Sequence, residues 1–275
     1  MPDPLPRTLP PLGQGTWHMG EGHAPARQEA DALRLGLDLG MTLVDTAEMY
    51  GNGGAERVVG QAIAGRRAEV FLVSKVLPSN ATRAGVARAC AASLQRLGTD
   101  YLDLYLLHWE GRVPLAETVE GFERLREAGQ IRAWGVSNLD VDALASLPPG
   151  CAADQVLYNL EHRGAEWDLL PWAERAGMPI MAYSPVGQGG RLLRHKALAA
   201  VAARHTIGRV GATPAQVAIA FTLLRPGMCS IPKAADARHV RENAKASSLR
   251  LDAEDVAALD QAFPPPHRKV SLAML

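Results

Sequence analysis

The sequence contains no long apolar run and no excess of charge of either sign. Its apolar stretches fall short of the ~20 residues that a membrane-spanning helix needs. The proline-rich start, MPDPLPRTLP, lacks the apolar core of a signal peptide. The 29 acidic residues balance the 29 basic ones, which gives no electrostatic reason to expect a nucleic acid or a membrane as partner. A cytoplasmic location is therefore expected.

Cysteine is also scarce, and the motifs of two common site types are missing. Cys90, Cys151 and Cys229 are far apart, odd in number and set in apolar sequence, so they are expected to be reduced packing residues. The histidines show no HxxxH or comparable spacing, so no metal site is predicted. No GxGxxG follows a strand, and the GQGG at 187–190 lacks that form, which removes the main support for a Rossmann fold.

What the chain does contain is a regular alternation of short apolar runs and longer helical patterns. The runs are short and bounded by turn residues, as buried parallel strands are. "LPPLGQGTW" supplies a first strand, and the others are Thr42–Val44, Val70–Val73, Leu102–Leu107, Ile131–Val136, Gln155–Leu157, Ile180–Ala182 and Met228–Ile231.

The segments between these runs have helical periodicity and helix stop signals. Gly40 and Gly129 are placed to end two of these helices. Apolar residues share one helical face at Ala26, Ala30, Leu33 and Leu37, and again at Leu115, Val119, Phe122 and Leu125. Because no linker divides the chain, residues 1–275 are predicted to form one domain, a (β/α)8 TIM barrel.

In such a barrel, catalytic residues lie at the carboxyl ends of the strands. Asp45, Lys75 and His108 each end a predicted strand, and Ser137 and Asn138 end the next one. Each has a plainer interpretation on its own: a helix cap for the aspartate, a solvated end for the lysine, a packed core group for the histidine. Three ionisable groups of different type at three consecutive strand ends favour a shared site.

Tyr50 lies five residues after Asp45, in VDTAEMYGNGGAE. In a continuous strand the two side chains would point to opposite faces, because the period is two. A bend after Asp45 would instead bring the phenol over the rim of the barrel. There a lysine cation could lower the pKa of the phenol, and the histidine could hydrogen-bond a substrate oxygen.

Taken together, these motifs resemble the aldo-keto reductase family. The resemblance covers nearly the whole chain, in matching order, through DTAEMY, GNGGAERVVGQAI, VFLVSK, DYLDLYLLHW, AWGVSN, AYSPVGQGG and IPKAADARHVREN. It implies a barrel that binds a nicotinamide dinucleotide without a Rossmann motif. It also implies an NADPH-dependent reductase whose catalytic tetrad maps to Asp45, Tyr50, Lys75 and His108.

The mechanism implied is hydride transfer from the reduced nicotinamide to a carbonyl carbon, with Tyr50 as the general acid. Lys75 would make the phenol a stronger acid, Asp45 would hold Lys75, and His108 would orient and polarise the carbonyl. The substrate pocket is expected to include Trp17, Tyr50, His108 and Trp109, and Met19 is a further candidate.

The resemblance also assigns the cofactor site. Tyr183 matches the ring that stacks on the nicotinamide, and Ser137, Asn138 and Gln155 match the groups that bind its carboxamide. The other expected cofactor residues are Gly15, Thr16, Trp17 and Asp45 near the nicotinamide, Ser184, Pro185 and Gly187 over the pyrophosphate, and Ile231, Pro232, Lys233, Ala234, His239, Glu242 and Asn243 toward the adenosine.

The adenosine end departs from the family pattern. Lys233 is kept, but Ala234 and His239 stand where a serine and an arginine usually hold the 2′-phosphate, and Asp236 replaces a small hydroxyl residue. A histidine carries only part of a positive charge at pH 7, and a carboxylate repels a phosphate. Arg238 and Arg241 could compensate. NADPH is expected to be preferred, with NADH tolerated.

The expected partner is a small-molecule carbonyl compound, with methylglyoxal-like dicarbonyls as one guess, and the expected assembly is a monomer. Only PPPHRKVSLAML follows the last helix, so the pocket is expected to be open. Two alternatives to a reductase are kept. One is a cofactor-binding regulatory module resembling potassium-channel β subunits, and the other is a Schiff-base barrel lyase that uses Lys75.

Overall fold

The computed structural model describes residues 9–275. Residues 1–8 lie outside the described residues. They include most of the proline-rich start that was expected to lack a signal peptide, and they are the first part of the predicted domain. Within the part that is described, no helix is long and apolar enough to cross a membrane.

The described residues form a barrel of eight parallel strands. In chain order the ten strands of the described residues are β1 (Gly13–Gly15), β2 (Leu43–Asp45), β3 (Phe71–Val76), β4 (Leu102–Leu107), β5 (Ile131–Ser137), β6 (Cys151–Leu157), β7 (Ile180–Tyr183), β8 (Thr206–Ile207), β9 (Val210–Gly211) and β10 (Met228–Ile231). All of them except β8 and β9 belong to the barrel. The sheet order is β1 to β7 followed by β10, and parallel bridges from Leu12 to Ser230 and from Gly15 to Lys233 join its two ends. The predicted (β/α)8 barrel is therefore confirmed.

Ten α-helices connect the strands and surround the barrel in the described part of the chain. They are α1 (Ala26–Asp38), α2 (Gly54–Ile63), α3 (Arg83–Leu97), α4 (Leu115–Glu127), α5 (Val141–Ser146), α6 (Leu169–Ala176), α7 (Lys196–Ala203), α8 (Pro214–Thr222), α9 (Ala237–Ala246) and α10 (Ala253–Ala262). Gly40 and Gly129 have positive φ values of 88° and 74° just after α1 and α4, which confirms both predicted helix stops.

The strand predictions differ from the structure mainly at the ends. β6 begins at Cys151 rather than Gln155, and β3 continues past Val73 to Val76. The short antiparallel pair β8–β9 was not predicted. Its strands have two residues each, too few for a period-two pattern to stand out.

Alternation along the strands divides the barrel into an inside and an outside. One cluster of side chains fills the interior, and its members include Leu43, Val73, Leu104, Leu106, Ala133, Ala153, Met181 and Cys229. The intervening residues, such as Val44, Leu72, Tyr105 and Trp134, belong to the larger cluster that packs against the helices. A residue two positions beyond an interior one lies one layer higher on the same inward face.

The three cysteine thiols are free, and burial raises the pKa of Cys90 and Cys151 to about 12. Cys229 belongs to the barrel interior, and burial raises its pKa as well. Thiols with raised pKa values are poor nucleophiles at neutral pH. These properties agree with packing roles.

Candidate functional site

The carboxyl-terminal rim of the barrel carries the polar residues predicted for the site. Asp45 follows interior Leu43 by two positions, Lys75 follows Val73, and His108 follows Leu106. Ser137 and Gln155 occupy the same inward-facing series on β5 and β6, where they are paired in register. Alternation with period two therefore turns side chains from separate strands toward one point above the apolar interior.

Lys75 lies at the centre of this arrangement and is fully buried. Its Nζ donates to Asp45 Oδ2 at 2.8 Å, to the Thr46 carbonyl oxygen at 2.9 Å and to the Tyr50 phenol oxygen at 3.1 Å. An ammonium group has three N–H donors, and all three are used here. Because the phenol oxygen accepts this bond, the Tyr50 hydroxyl hydrogen is left to donate elsewhere.

At both Tyr50 and Lys75, burial and a neighbouring charge shift the pKa in opposite directions. Burial raises the pKa of Tyr50, the Lys75 cation opposes that effect, and the net direction is upward. Burial lowers the pKa of Lys75, but the Asp45 carboxylate and the Tyr50 phenol more than offset it, so this pKa is raised. The lysine thus stays charged and the phenol keeps its proton at neutral pH. The predicted acid-strengthening effect of Lys75 is present but smaller than that of burial.

Tyr50 reaches this site because the chain bends after β2, as the sequence predicted. Gly51, Asn52 and Gly53 have positive φ values of 55°, 50° and 77°, a conformation that glycine and asparagine adopt readily. The loop is also tied to the end of β3, because Glu48 Oε1 accepts from the Leu77 amide at 2.8 Å and from Asn80 Nδ2 at 3.0 Å. The sequence reasoning missed this contribution of Glu48.

His108 lies across from the phenol, with its ring 5.6 Å from the Tyr50 ring in an edge-to-face arrangement. Burial, together with the Lys75 cation, lowers its pKa to about 3. Its Nδ1 has no hydrogen-bond partner among the described residues. The imidazole is therefore neutral near pH 7 and carries one N–H donor.

The residues expected to bind the carboxamide are already linked to one another. Ser137 Oγ donates to the Gln155 carbonyl oxygen at 2.8 Å, Asn138 Nδ2 donates to Ser137 Oγ at 3.0 Å, and the Tyr183 hydroxyl donates to Asn138 Oδ1 at 3.0 Å. Gln155 Nε2 donates to Asp45 Oδ1 at 2.8 Å. This network fixes the positions of two amide side chains beside the catalytic candidates.

A single cleft of about 760 Å³ joins the rim to α9. Most of the predicted site residues line it: Gly15, Thr16, Trp17, Asp45, Tyr50, His108, Trp109, Ser137, Asn138, Gln155, Tyr183, Ser184, Pro185, Ile231, Lys233, His239, Glu242 and Asn243. Gly187, Pro232 and Ala234 adjoin wall residues in the sequence but do not line the cleft themselves. Lys75 is fully buried and lies beneath the cleft surface.

Two expectations about the cleft differ from the structure. Met19 is completely buried in the outer apolar cluster and is not part of the wall. The segment after α10 does not leave the cleft open on that side, because Met274 and Leu275 line the wall. Lys269 holds this segment through Asp140 at 3.0 Å and Asp168 at 2.5 Å.

This returning segment reaches the rim itself. Burial raises the pKa of Tyr183 to about 12, and the nearby Leu275 backbone opposes this rise. The sequence could not indicate this return, since it depends on ion pairs between residues about 100 positions or more apart. His18 and Met49 are further wall residues that the sequence analysis did not select.

At the far end of the cleft, Asp236 caps α9. Its Oδ1 accepts from the amides of Arg238 at 2.9 Å and His239 at 3.2 Å, and these bonds, His239 first, lower the pKa of Asp236. Helix amino-terminal amides commonly bind phosphate oxygens. Here a side-chain carboxylate already occupies two of them.

Comparison with known proteins agrees with this geometry. Residues 11–263 match the model of the Aldo/keto reductase family. The chain is 50% identical over 277 residues to methylglyoxal reductase YeaE of Escherichia coli, covering 98% of this chain and 96% of that protein. It is 30% identical over 260 residues to the 9,11-endoperoxide prostaglandin H2 reductase of Trypanosoma cruzi, covering 92% of this chain and 87% of that protein.

A solved structure shows the same architecture. The aldo-keto reductase from Klebsiella pneumoniae in complex with NADPH is 50% identical to this chain, with a TM-score of 0.92 and coverage of 97% of this chain and 95% of that one. The family match, the full-length relatives and the barrel agree with one another. The chain therefore belongs to the aldo/keto reductase family and is an NAD(P)H-dependent oxidoreductase of that family.

Proposed function

We propose that this enzyme uses NADPH to reduce small aldehydes and dicarbonyls, with Tyr50 as the general acid. The observation that carries the proposal is the bonding of Lys75, whose three N–H groups hold Asp45, the Thr46 carbonyl and the Tyr50 oxygen. This arrangement leaves the phenol with a proton to give. The Lys75 cation also lies beside the Tyr50 oxygen, which becomes negative when Tyr50 gives up its proton.

The proposed reaction adds one hydride and one proton to the carbonyl group. When bound, NADPH would supply a hydride, with its electron pair, to the carbonyl carbon and would leave as NADP⁺. As the carbonyl oxygen gains the electron pair of its former π bond, Tyr50 transfers a proton to it, which leaves an alcohol and a phenolate. Lys75 stabilises that phenolate, and the phenol is restored by a proton from solvent.

His108 has a separate role in this scheme. A neutral imidazole can donate one hydrogen bond to the carbonyl oxygen without supplying a full charge or competing for the proton. Its lowered pKa, about 3, keeps it in this form through the neutral range. We assign it to orienting and polarising the carbonyl. Asp45 positions Lys75, and Trp17 and Trp109 form the apolar sides of the substrate pocket.

The cleft fits a dinucleotide by size and by residue type. Its volume of about 760 Å³ lies within the roughly 300–1,000 Å³ of typical ligand sites. One end presents Tyr183 and Asn138, and the other presents Lys233, His239 and Asn243. Asn138 Oδ1 accepts one bond from Tyr183 and has a second lone pair for a carboxamide N–H.

We assign the nicotinamide to Ser137, Asn138, Gln155 and Tyr183, close to Gly15, Thr16 and Asp45. The remaining positions serve the pyrophosphate and the adenosine, and they are Ser184, Pro185, Gly187, Ile231, Pro232, Lys233, Ala234, His239, Glu242 and Asn243. The NADPH bound to the similar Klebsiella enzyme supports this choice of cofactor.

NADH is proposed as a weaker second cofactor. Asp236 uses the α9 amides that could otherwise contact a phosphate, and His239 replaces an arginine. Steady-state kinetics with both cofactors test this point. A kcat/KM with NADH equal to or higher than that with NADPH would overturn the stated preference.

Methylglyoxal is the first substrate to test, because the Escherichia coli relative at 50% identity is a methylglyoxal reductase. A dicarbonyl presents two oxygens that His108 and Tyr50 could contact together. Trp17, Tyr50 and Trp109 line the mouth, which also suits aromatic aldehydes.

The lyase alternative is disfavoured by the state of Lys75. A Schiff base needs a neutral amine with access to substrate, whereas this lysine is fully buried, is bonded through all three hydrogens and has a raised pKa. A purely regulatory role has no specific observation in its favour.

The decisive experiment is an aldehyde and dicarbonyl panel with NADPH oxidation as readout, run with wild type and Tyr50→Phe. The variant removes only the hydroxyl group, and general acid catalysis contributes roughly 10²- to 10⁴-fold, so we expect kcat to fall by that range. NADPH binding, followed by fluorescence titration, should be retained. Turnover by Tyr50→Phe at the wild-type rate would exclude Tyr50 as the acid.

We further propose that residues 1–275 act as one domain, in a monomeric and cytoplasmic enzyme. Light scattering coupled to gel filtration tests the monomer directly. A mass of two or more chains across a concentration series would contradict it.

A further inference from the structure

The loop after β1 brings three potential metal ligands together at the mouth of the cleft. His18 Nδ1 lies 2.8 Å from Glu21 Oε2, and His23 Nε2 lies 3.6 Å from the same oxygen. One ligand atom from each residue falls within 4.8 Å of the others. The His18 and His23 side chains are 49% and 68% exposed, so an ion in solution can reach them.

The loop that carries these residues is held in place at several points. Met19 is fully buried, and its amide donates to the Thr16 carbonyl at 2.9 Å. The Gly20 amide donates to Glu29 Oε2 at 2.8 Å, and Gly20 packs so closely on Gly54 that a Cβ would lie 2.4 Å from backbone. His18 and Glu21, which flank these two residues, therefore extend from a backbone that is held in place.

The donor set has the chemistry of a transition-metal site. Two imidazoles and a carboxylate suit zinc, cobalt or nickel, and a three-ligand zinc site leaves a fourth position for water. Glu21 Oε2 lies between the two imidazole nitrogens and supplies the carboxylate oxygen of the set. Tetrahedral zinc bonds of roughly 2.0–2.2 Å hold two ligand atoms roughly 3.4 Å apart, so His18 and Glu21 would have to separate slightly while the two imidazoles approach each other.

We propose that His18, Glu21 and His23 bind a divalent transition-metal ion at the mouth of the cleft. The ion would take the place of the hydrogen now shared by His18 and Glu21. No metal site was expected because the histidines lack HxxxH or comparable spacing, whereas these three residues have H-x-x-E-x-H spacing on a loop.

The position of His18 gives the site a functional consequence. This residue lines the cleft and stacks on Trp17, with ring centroids 4.2 Å apart. A bound ion would fix His18, and through the stacking contact it would restrict Trp17 at the entrance. We therefore expect metal binding to slow the admission of carbonyl substrates.

Binding is tested by titrating tag-free protein with Co²⁺, whose visible absorption changes on imidazole coordination, and then displacing it with Zn²⁺. We expect one ion per chain in wild type. The Zn²⁺ affinity should fall at least tenfold in His23→Ala and further in the double variant His18→Ala/His23→Ala. His267→Ala, which removes an exposed histidine elsewhere, should bind as wild type does.

Equal affinity in wild type and in the double variant would overturn the site, as would an equal loss in His267→Ala. Glu21→Gln keeps the shape of the side chain but removes its charge, and it should weaken binding without changing the fold. For the functional consequence, Zn²⁺ should reduce kcat/KM at least threefold in wild type and leave the double variant unchanged. Equal inhibition of both would overturn that consequence.

Discussion

Gln155 donates a 2.8 Å hydrogen bond from its side-chain amide to Asp45 Oδ1, although 110 positions separate the two residues in the chain. The other carboxylate oxygen accepts from Lys75 at 2.8 Å. Asp45 is thus held from two sides, by a neutral donor on β6 and by a cation on β3. The family resemblance assigned Gln155 to the cofactor carboxamide, and in the structure the side-chain amide of Gln155 contacts Asp45.

We expect Gln155→Glu to destabilise the enzyme more at high pH than at low pH. The change replaces a donor by a second carboxylate next to Asp45, and like charges raise the pKa of the new group in the folded state. A group with a raised folded pKa supports stability below its unfolded pKa and loses that support as the pH rises. Urea denaturation at pH 4.5 and pH 8 measures the difference.

Gln155→Met is the matched control, because it removes the donor without adding charge. We expect it to cost roughly 1–3 kcal/mol, since a buried acceptor loses a partner, with much less dependence on pH. A pH-independent loss in Gln155→Glu would show that the two carboxyl groups do not interact.

We expect Lys75→Met to lower the free energy of unfolding by about 3–5 kcal/mol, because it leaves the Asp45 charge buried without its cation. Asp45→Asn/Lys75→Met should recover much of this loss, since both charges are then absent. Both variants should lack activity, because neither can stabilise the phenolate of Tyr50. Chemical denaturation and NADPH oxidation measure the two effects separately, and failure of the double variant to regain stability would contradict the pairing.

The reduction rate should show no step near pH 6.5. His108 has its pKa lowered to about 3 by burial and by Lys75, so it remains neutral above that value. Tyr50 has a raised pKa, so the acid keeps its proton beyond the usual value of about 10. The pH profile of kcat/KM, taken with saturating NADPH, should therefore stay level until alkaline pH. A step near pH 6.5 that disappears in His108→Gln would refute this assignment.

Asp236→Ser should improve NADPH binding while leaving NADH nearly unaffected. Serine is as good a helix cap as aspartate, so α9 should be preserved while a negative charge near the 2′-phosphate is removed. Water screens an exposed charge interaction, so the gain should be modest, a decrease in KM for NADPH of up to roughly fivefold. Asp142→Asn, an exposed carboxylate on α5, controls for net charge, and an equal gain there would rule out a local effect.

Much of the barrel could be predicted because its signals are local. Each strand is a short apolar run, and the rule that catalytic residues lie at carboxyl ends needs only the last residue of each run. This reasoning located Asp45, Lys75 and His108, and the odd spacing of Tyr50 correctly indicated a bend. The positive φ values at 51–53 follow from residue types that were visible in the sequence.

The remaining features depend on contacts between distant parts of the chain. Glu48 reaches across to the amide after β3, Gln155 reaches Asp45, and Lys269 pairs with Asp140 and Asp168. None of these residues has a neighbour in sequence that marks its partner. The net rise in the pKa of Tyr50 was unpredictable for the same reason, since the extent of burial is a property of the assembled rim.

The course of the segment after α10 has a practical consequence for protein production. Met274 and Leu275 form part of the cleft wall, so any purification peptide joined after Leu275 would begin at that wall. Histidines in such a peptide would also lie within reach of the mouth. Fusion at the amino terminus, or removal of the peptide before kinetics, keeps the measured KM values a property of the enzyme.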